Sequence, residues 1–324
     1  MKILGISGGM HSCGLAYLKD GKPEFAFEEE RFNRVRTYKD FYEDLFRFPY
    51  ECGQNVWYNK DFDWNKLDYI TSHYSAEVTE KIWDGIGLGP FPKEKFIKTN
   101  HHRAHCSLAY YCSGFEEDTL VVSIDAMGEK YSARYFIGSN GDLKDIGKIS
   151  NEFKSLGHYY AMLTEFLGFR RLKDEGKVVG TASHGHFFED FYNVFNKCVT
   201  IDGIKTDKDN GKVISGGIYE DFYKLWFEKF GSKFTCHVKN DIAYNGQLVF
   251  EEKVLEIFNN LHKKYPKIKK LALAGGIFAN VKLNKKINEL EWVDEVFIAP
   301  PMGDEGIPLG SALSVHKLKN PDFK

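Results

Sequence analysis

The sequence has few cysteines, and they lack the pattern of a disulfide framework. The six cysteines include no C-x-x-C pair and follow no regular spacing, which is typical of reduced thiols. No basic region followed by an apolar stretch opens the chain, so no signal peptide is predicted. From these two absences we expect a cytoplasmic protein with free thiols.

Long apolar runs and an excess of charge of one sign are missing as well. No apolar run approaches the roughly 18 residues of a membrane helix, so no membrane span is expected. The 44 basic and 46 acidic side chains give a net charge of -2, which provides no global field for nucleic acid. A local basic cluster could still bind phosphate or could be a solvated face: Arg31, Arg34, Arg36 and Lys39.

What the sequence does have is enough apolar material for a substantial core and a repeated pattern of strands. Apolar residues make up 43% of the 324 residues. KILGIS at 2–7 reads as a buried strand, followed by a glycine-rich turn and a hairpin at Asp20-Gly21. The same order recurs with TLVVSID at 119–125, a turn that contains Gly128, and a hairpin at Asn140-Gly141. The pattern predicts an internal duplication, and each first turn would offer backbone N–H groups to a phosphate.

The rest of the chain alternates strands and helices, which favours an α/β protein. The duplication predicts two similar halves, about 1–115 and 116–324, that face each other across a cleft. DEGKVVGTASHG at 174–185 is predicted to be a glycine-punctuated loop, with Lys177 and Gly180 as candidate nucleotide contacts. The polar stretch 199–216 is predicted to be a surface excursion or a hairpin, in which substrate specificity is expected to lie.

One stretch spaces potential metal ligands by a structural rule. His101 and His105 are four residues apart after Asn100, so on a helix capped by Asn100 their imidazoles share one face. Asp125 ends a predicted buried strand and is a candidate third ligand. His102 and His105 also share a face, and a helix start with exposed histidines fits the same spacing. Periodicity alone leaves these alternatives open.

Glycine-rich turns follow three apolar strands: GISGGMH at the start, LAGGIFAN at 273–280 and PPMGDEG at 300–306. Ligands of open α/β sheets bind at the carboxyl ends of strands. Gly275 and Gly276 would let a phosphate approach the backbone, and Asn280 is a candidate for hydrogen bonding to a ribose or base. Asp304 would add a carboxylate at the same rim as Asp125.

Taken in order, these stretches resemble the NodU/CmcH-type O-carbamoyltransferase family. The matching stretches cover nearly the whole chain: LGISGGMHSCGLA, FAFEEERFNRVR, HHRAH, VVSIDAMGE, SLGHYYAMLTEFLGF, EGKVVGTASHG, DIAYNGQLVFEE, LAGGIFANVKLN and FIAPPMGDEGIPLGSAL. The resemblance extends to the tRNA threonylcarbamoyladenosine synthase. It implies duplicated ribonuclease-H-like halves of the actin, sugar kinase and heat-shock ATPase superfamily, with the active site in the cleft between them.

The resemblance also assigns the candidate site residues. It implies a metal, usually iron, held by the outer histidines of the H-x-x-x-H and by two aspartates: His101, His105, Asp125 and Asp304. Such a nitrogen and oxygen set suits Fe(II), Mn(II) or Zn(II). It places a reactive histidine at His11, whose expected role is general base toward the acceptor hydroxyl. A histidine simply packed in a turn is the alternative for His11, and His102 is the next candidate base.

The implied activity is ATP-dependent transfer of a carbamoyl group from carbamoyl phosphate, through carbamoyl adenylate, to a hydroxyl. The acceptor would be a small molecule, a sugar or a hydroxymethylated nucleotide. A nucleotide-binding partner subunit without turnover and a kinase of the same fold are the alternatives. A kinase would use a general-base aspartate and Mg²⁺-bound ATP without the paired histidines.

The sequence departs from the family pattern in two places. Most members continue into a YrdC-like domain that makes carbamoyl adenylate, whereas this sequence ends about twenty residues after Asp304. A separate domain or partner chain, a freely supplied intermediate, or a sequence shorter than the natural protein would each account for the difference. The turn after His11 also reads SCG where the family commonly has an aspartate. A homodimer is compatible with the sequence.

Overall fold

The computed structural model of the chain describes residues 1–8, 12–34, 49–57, 62–150, 155–204 and 236–324. The strands are β1 Lys2–Ser7, β2 Gly14–Lys19, β3 Lys22–Glu28, β4 Tyr69–Ser72, β5 Phe96–Lys98, β6 Thr119–Gly128, β7 Tyr131–Ser139, β8 Asp142–Ile149, β9 Val199–Thr200, β10 Gly203–Ile204, β11 Lys270–Ala274 and β12 Glu295–Ile298. The helices are α1 Glu29–Asn33, α2 Tyr50–Trp57, α3 Ala76–Ile86, α4 His101–Ser113, α5 Leu156–Phe166, α6 Glu175–Ala182, α7 Glu189–Cys198, α8 Cys236–Lys264, α9 Val281–Asn288 and α10 Ile307–Lys319.

Two five-stranded mixed sheets share one topology. The first has the order β3-β2-β1-β4-β5, and the second, from its meander side, has the order β8-β7-β6-β11-β12. In each sheet three consecutive strands form an antiparallel meander. The other two strands run parallel to β1 in the first sheet and to β6 in the second. The predicted α/β class is therefore confirmed, and the equal strand order agrees with the predicted duplication.

Both predicted hairpin turns are present, and their backbone explains their sequences. Asp20 and Gly21 have φ values of 50° and 82°, and Asn140 and Gly141 repeat the values 50° and 82°. Two successive residues with positive φ match the twist of the flanking strands, and Asp-Gly and Asn-Gly tolerate that conformation best. These turns fix the register of β2 with β3 and of β7 with β8.

Two helices, α4 and α10, pack against each other between the sheets. Helix α4 contacts β6 and β11, and helix α10 contacts β1, β2 and β4. Their crossing is close because a Cβ at Gly310 would lie 2.1 Å from the carbonyl oxygen of Ala104. Helix α10 thus covers the first sheet. The division of the chain near residue 115 stays a prediction.

Two predictions from the turn-rich segments need correction. The stretch 174–185 is not a loop, because Glu175–Ala182 forms α6 and buries Val178 and Ala182 in the core. The stretch 199–216 begins with the short hairpin β9-β10, as expected. The start of this stretch is not a surface excursion, because Val199 and Ile204 are buried and pack in the core of the second sheet.

Several predictions fall on parts of the chain that the structure does not describe. These are the site residue His11, the basic residues Arg36 and Lys39, and residues 205–216 of the polar stretch.

In the parts of the chain that the structure describes, no helix is both long enough and apolar enough to cross a bilayer.

Candidate functional site

Helix α4 begins with the two histidines that the spacing singled out. The side chain of Asn100 accepts a hydrogen bond from the backbone N–H of Arg103 at 3.1 Å, which caps the helix as predicted. His101 and His105 then lie one turn apart with ring centroids 4.8 Å from each other. Both rings are buried. The reading of exposed histidines at a helix start is therefore wrong.

Asp125 and Asp304 meet these histidines from two distant segments. The pairing of β6 with β7 shifts register between Ile124 and Gly128, and such a bulge re-aims the Asp125 side chain. Its carboxylate accepts a hydrogen bond from the N–H of Gly276 at 3.0 Å. Asp304 opens a 3₁₀ turn after β12. The chain thus brings two carboxylates from separate strand ends to one helix face.

The ligand atoms of His101, His105, Asp125 and Asp304 all lie within 4.8 Å of one another. His105 Nε2 is 3.4 Å from Asp125 Oδ2 and 3.3 Å from Asp304 Oδ1. His101 Nε2 is 3.6 Å from Asp304 Oδ1 and, although buried, has no hydrogen-bond partner in the described chain. Ligands of a tetrahedral ion with 2.1 Å bonds are roughly 3.4 Å apart, so the spacing fits a divalent ion.

The protonation of the cluster follows from burial and from the two carboxylates. Burial lowers the pKa of His105, but hydrogen bonds with Asp125 and Asp304 outweigh it and raise the pKa to about 9. Burial raises the pKa of Asp125, and the hydrogen bond with His105 reverses that effect, so its pKa lies below the usual value. Burial keeps the pKa of His101 below its usual value. In the ion-free protein, His105 therefore holds the proton that an ion must displace.

We expect the affinity of the cluster for a divalent ion to rise with pH. Below the His105 pKa of about 9, each ion bound releases one proton, so the apparent association constant rises by about tenfold per pH unit and levels off above that pKa. Zn(II) titrations against a competing chelator between pH 6 and 8.5 measure this slope. A flat profile would show that His105 is already deprotonated or is not a ligand.

His102 lies outside the cluster, which corrects its place among the candidate bases. Its Nε2 lies 2.9 Å from the carbonyl oxygen of Tyr131, which can only accept, so Nε2 carries the proton. Its Nδ1 then accepts from the hydroxyl of Ser123 at 2.9 Å. The ring is fully buried, and burial together with the neighbouring imidazoles lowers its pKa to about 3. Both nitrogens are occupied, so His102 joins α4 to the second sheet and is not placed to accept a proton from substrate.

A cavity of about 680 Å³ opens beside the cluster. Asp125 and Asp304 form part of its wall, and Ser12, which follows His11 in the chain, lines it too. Three of the residues predicted to contact nucleotide also line it: Lys177, Gly276 and Asn280. The cavity is large enough for a nucleotide-sized ligand.

The other three predicted nucleotide contacts do not line this cavity. A Cβ at Gly128 would lie 2.4 Å from the His101 ring, so this glycine makes room for the histidines. Gly275 has a φ of 108° and packs against Ile124, which is again a structural requirement. Gly180 is exposed on α6 with open space around it. These three assignments do not match the geometry.

The two polar side chains among the predicted nucleotide contacts at this cavity, Asn280 and Lys177, already have protein partners. The Asn280 side chain caps α9 through the N–H of Leu283 at 3.1 Å and pairs with the Gln247 amide in both directions. Lys177 Nζ lies 3.0 Å from Asp174 Oδ1, but half of its side chain stays exposed. Lys177 therefore remains available to a ligand, whereas Asn280 mainly positions the turn that contains Gly276.

A histidine that the sequence analysis missed lies beside the cluster. His73 directly follows β4, and its ring centroid is 5.4 Å from that of His101 at an interplanar angle of 76°. Burial and the His101 imidazole lower its pKa to about 3. The signal that singled out Asp125, a polar residue at the carboxyl end of a buried strand, applies to His73 as well.

Gly276→Val is expected to weaken AMP binding by roughly tenfold or more, because the branched side chain would enter the cavity beside the Asp125 carboxylate. Its Cβ alone would approach Asp125 Oδ1 to 3.2 Å. Calorimetry with AMP, with the metal content measured in parallel, separates a blocked cavity from a displaced Asp125.

The matched control is Gly180→Ala, which lies on exposed helix surface outside the cavity. It should leave AMP affinity unchanged and stabilise the protein by about 1 kcal/mol, since alanine favours a helix over glycine. Equal AMP affinity in Gly276→Val and wild type would contradict the placement of the nucleotide next to this turn.

Comparison with known proteins agrees with this architecture. Residues 89–313 match the family model described as carbamoyltransferase N-terminus. The uncharacterized protein MJ1051 of Methanocaldococcus jannaschii is 31% identical over 323 residues, which cover 98% of this chain and 58% of that protein. Nodulation protein NolNO of Sinorhizobium fredii is 27% identical over 357 residues, which cover 97% of this chain and 49% of that protein. The resemblance drawn from the motifs is confirmed.

Among solved structures, full-length HypF in its phosphate- and nucleotide-bound form superimposes with a TM-score of 0.60 at 15% identity. The match covers 100% of this chain and 56% of HypF. At this identity the likeness concerns the fold. The chain thus spans about half the length of the curated relatives and of the solved structure that it matches.

Proposed function

This chain belongs to the carbamoyltransferase family through its N-terminal-type domain, and we propose that it transfers a carbamoyl group to a hydroxyl of an acceptor. The donor we propose is carbamoyl adenylate, made from carbamoyl phosphate and ATP. The acceptor is a small molecule, a sugar or a hydroxymethylated nucleotide. The equal topology of the two sheets supports placing the domain among the duplicated folds of the actin and sugar kinase superfamily.

The observation that carries this proposal is the four-residue cluster at the wall of the cavity. Two carboxylates that face the cavity are backed by two buried imidazoles, and their ligand atoms converge within 4.8 Å. Such a set suits Fe(II) or another divalent transition metal. When bound, that ion would supply Lewis-acid polarisation of the group to be transferred.

The residues around the cluster have separate tasks in this scheme. The Asp125 carboxylate is oriented by the N–H of Gly276, which ties the cluster to the glycine turn. Gly276 lines the cavity without a side chain that would exclude a phosphate, and Lys177 presents a cation at the same cavity. Together they would hold the adenylate so that its carbamoyl carbon lies next to Asp125 and Asp304.

His11 is the general base in this proposal, an assignment that rests on the family resemblance. His11 directly precedes Ser12, which lines the cavity. The acceptor hydroxyl would attack the carbamoyl carbon, its proton would pass to the imidazole, and the carbon–oxygen bond to phosphate would break to release AMP.

The test uses preformed carbamoyl adenylate and a panel of hydroxylated acceptors, with mass detection of an added carbamoyl group and of released AMP. Supplying the adenylate removes any dependence on the separate adenylation step. The expected result is metal-dependent transfer to one acceptor class. Stoichiometric transition metal without transfer to any acceptor would favour the non-catalytic nucleotide-binding subunit, and phosphorylation of an acceptor by ATP would favour the kinase.

A further inference from the structure

Two buried polar side chains of helix α8 have no role yet in the proposed chemistry. Gln247 and Glu251 lie one helical turn apart, and their exposed fractions are 0% and 1%. Gln247 Nε2 donates a hydrogen bond to Glu251 Oε1 at 2.7 Å, and Nζ of Lys286 on α9 lies 3.5 Å from the other carboxylate oxygen. Burying an amide and a carboxylate is unfavourable unless partners satisfy them, so the partners indicate what these groups do.

The other hydrogen bonds of Gln247 lead to two residues of the cavity wall. Its Oε1 accepts from the Tyr160 hydroxyl of α5 at 2.5 Å and from Asn280 Nδ2 at 3.0 Å. Its Nε2 donates to Asn280 Oδ1 at 3.2 Å as well as to Glu251. Tyr160 and Asn280 both line the cavity, whereas Gln247 and Glu251 do not. One buried amide thus joins α5, α8 and the N-terminal cap of α9 behind the wall.

The orientation of this amide is determined by groups that cannot exchange donor and acceptor roles. The Glu251 carboxylate only accepts hydrogen bonds, so the nitrogen of Gln247 must face it. The backbone N–H of Leu283 only donates, so the oxygen of Asn280 must face that N–H. Rotating the Gln247 amide by half a turn would set donor against donor at Asn280 and oxygen against oxygen at Glu251. The carboxylate of Glu251 therefore specifies one arrangement of the two amides.

We propose that Gln247 is a positioning residue of the nucleotide site, which holds Tyr160 and Asn280 at the cavity wall in one arrangement. Glu251 acts one step further back, by orienting Gln247. The inference rests on the proposed binding of a nucleotide in this cavity. A wall that is already ordered needs no rearrangement when the ligand arrives, and this preorganisation raises affinity.

The experiment measures AMP affinity by calorimetry and Zn(II) affinity by chelator competition on the same variants. Gln247→Met keeps the length of the side chain and the helix propensity but removes the amide. We expect this variant to bind AMP roughly tenfold more weakly, which is the upper range of one hydrogen bond. It should bind Zn(II) as wild type does, because none of the four cluster residues is altered.

Glu251→Gln tests the orientation of Gln247 and serves as well if Gln247→Met does not fold. The new amide would direct its oxygen to the Lys286 ammonium and its nitrogen to Gln247, which opposes the native arrangement. AMP affinity should therefore fall here too, by a smaller factor, with Zn(II) affinity again unchanged.

The matched control is Tyr159→Phe, which removes a buried hydrogen bond between the same two helices. The Tyr159 hydroxyl donates to the carbonyl oxygen of Gly246 at 3.0 Å, and Tyr159 does not line the cavity. This variant should have a lower melting temperature than wild type but the same AMP affinity.

Each further outcome overturns a defined part of the scheme. Wild-type AMP affinity in folded Gln247→Met or Glu251→Gln overturns the positioning role and leaves the nucleotide site intact. An equal loss of AMP affinity in Tyr159→Phe also overturns it, because general loosening between α5 and α8 would then be sufficient. A wild-type protein that binds no AMP overturns the nucleotide site of the proposed function and this inference with it.

Discussion

Replacing His105 with alanine is expected to lower the affinity of the cluster for a divalent ion by more than roughly a hundredfold, since loss of an outer partner alone typically costs ten- to a hundredfold. His105 is the member that contacts both carboxylates, at 3.4 Å from Asp125 and 3.3 Å from Asp304. Without it the two acidic groups face each other with no intervening positive or neutral donor. Carbamoyl transfer should fall together with metal content, as measured by plasma mass spectrometry of the purified protein and by the transfer assay.

The matched control for this experiment is His102→Gln on the same helix. His102 is as deeply buried as His105 but uses its nitrogens on Ser123 and Tyr131. The glutamine amide can replace these hydrogen bonds in part, so this variant should lose some stability and keep its metal. If His102→Gln loses the ion and His105→Ala retains it, the assignment of the helix face is wrong.

Replacing His11 with asparagine is expected to slow transfer from preformed carbamoyl adenylate by roughly a hundred- to ten-thousandfold, the usual contribution of a general base. None of the four cluster residues and no glycine of the turns is altered, so metal content and adenylate affinity should stay close to wild type. The adenylate should therefore accumulate on the protein. Single-turnover kinetics, with the affinity measured on the same sample, report both quantities.

His184→Asn serves as the control for His11, because His184 is an exposed histidine next to α6 and outside the cavity lining. It should transfer at the wild-type rate. Near-normal transfer by a folded His11→Asn protein would move the base to another group at the cavity. A parallel loss of stability, binding and rate would instead assign His11 to packing.

Much of the fold could be predicted because its signals are local. The two meanders follow from buried strands joined by Asp-Gly and Asn-Gly turns, which favour one backbone conformation. Helix α6 could not be predicted in this way, because Gly176 and Gly180 lower the intrinsic helix propensity of the segment. Burial of Val178 and Ala182 in the core outweighs that cost. Tertiary packing therefore stabilises this segment as a helix, and the local sequence pattern alone does not reveal that packing.

The candidate site shows the same limit. The spacing of His101 and His105 indicates a shared helix face, but Asp304 lies 199 residues beyond His105. The strand pattern placed Asp304 only at the same rim as Asp125, and the family resemblance assigned it to the metal ligands. Gly128 and Gly275 looked like phosphate contacts, whereas they make room for neighbouring atoms. A glycine required for packing and a glycine required for a ligand have the same sequence signature.

The position of α10 has a consequence for the order in which the protein is completed during synthesis. Ile3 and Leu18 of the first sheet share a buried cluster with Leu313 and Val315 of the last helix. The carbonyl oxygen of Pro308 approaches Gly5 so closely that a Cβ there would lie 1.9 Å away. A ribosome therefore releases the first sheet with one apolar face open, and that face stays open until residues 307–319 have emerged.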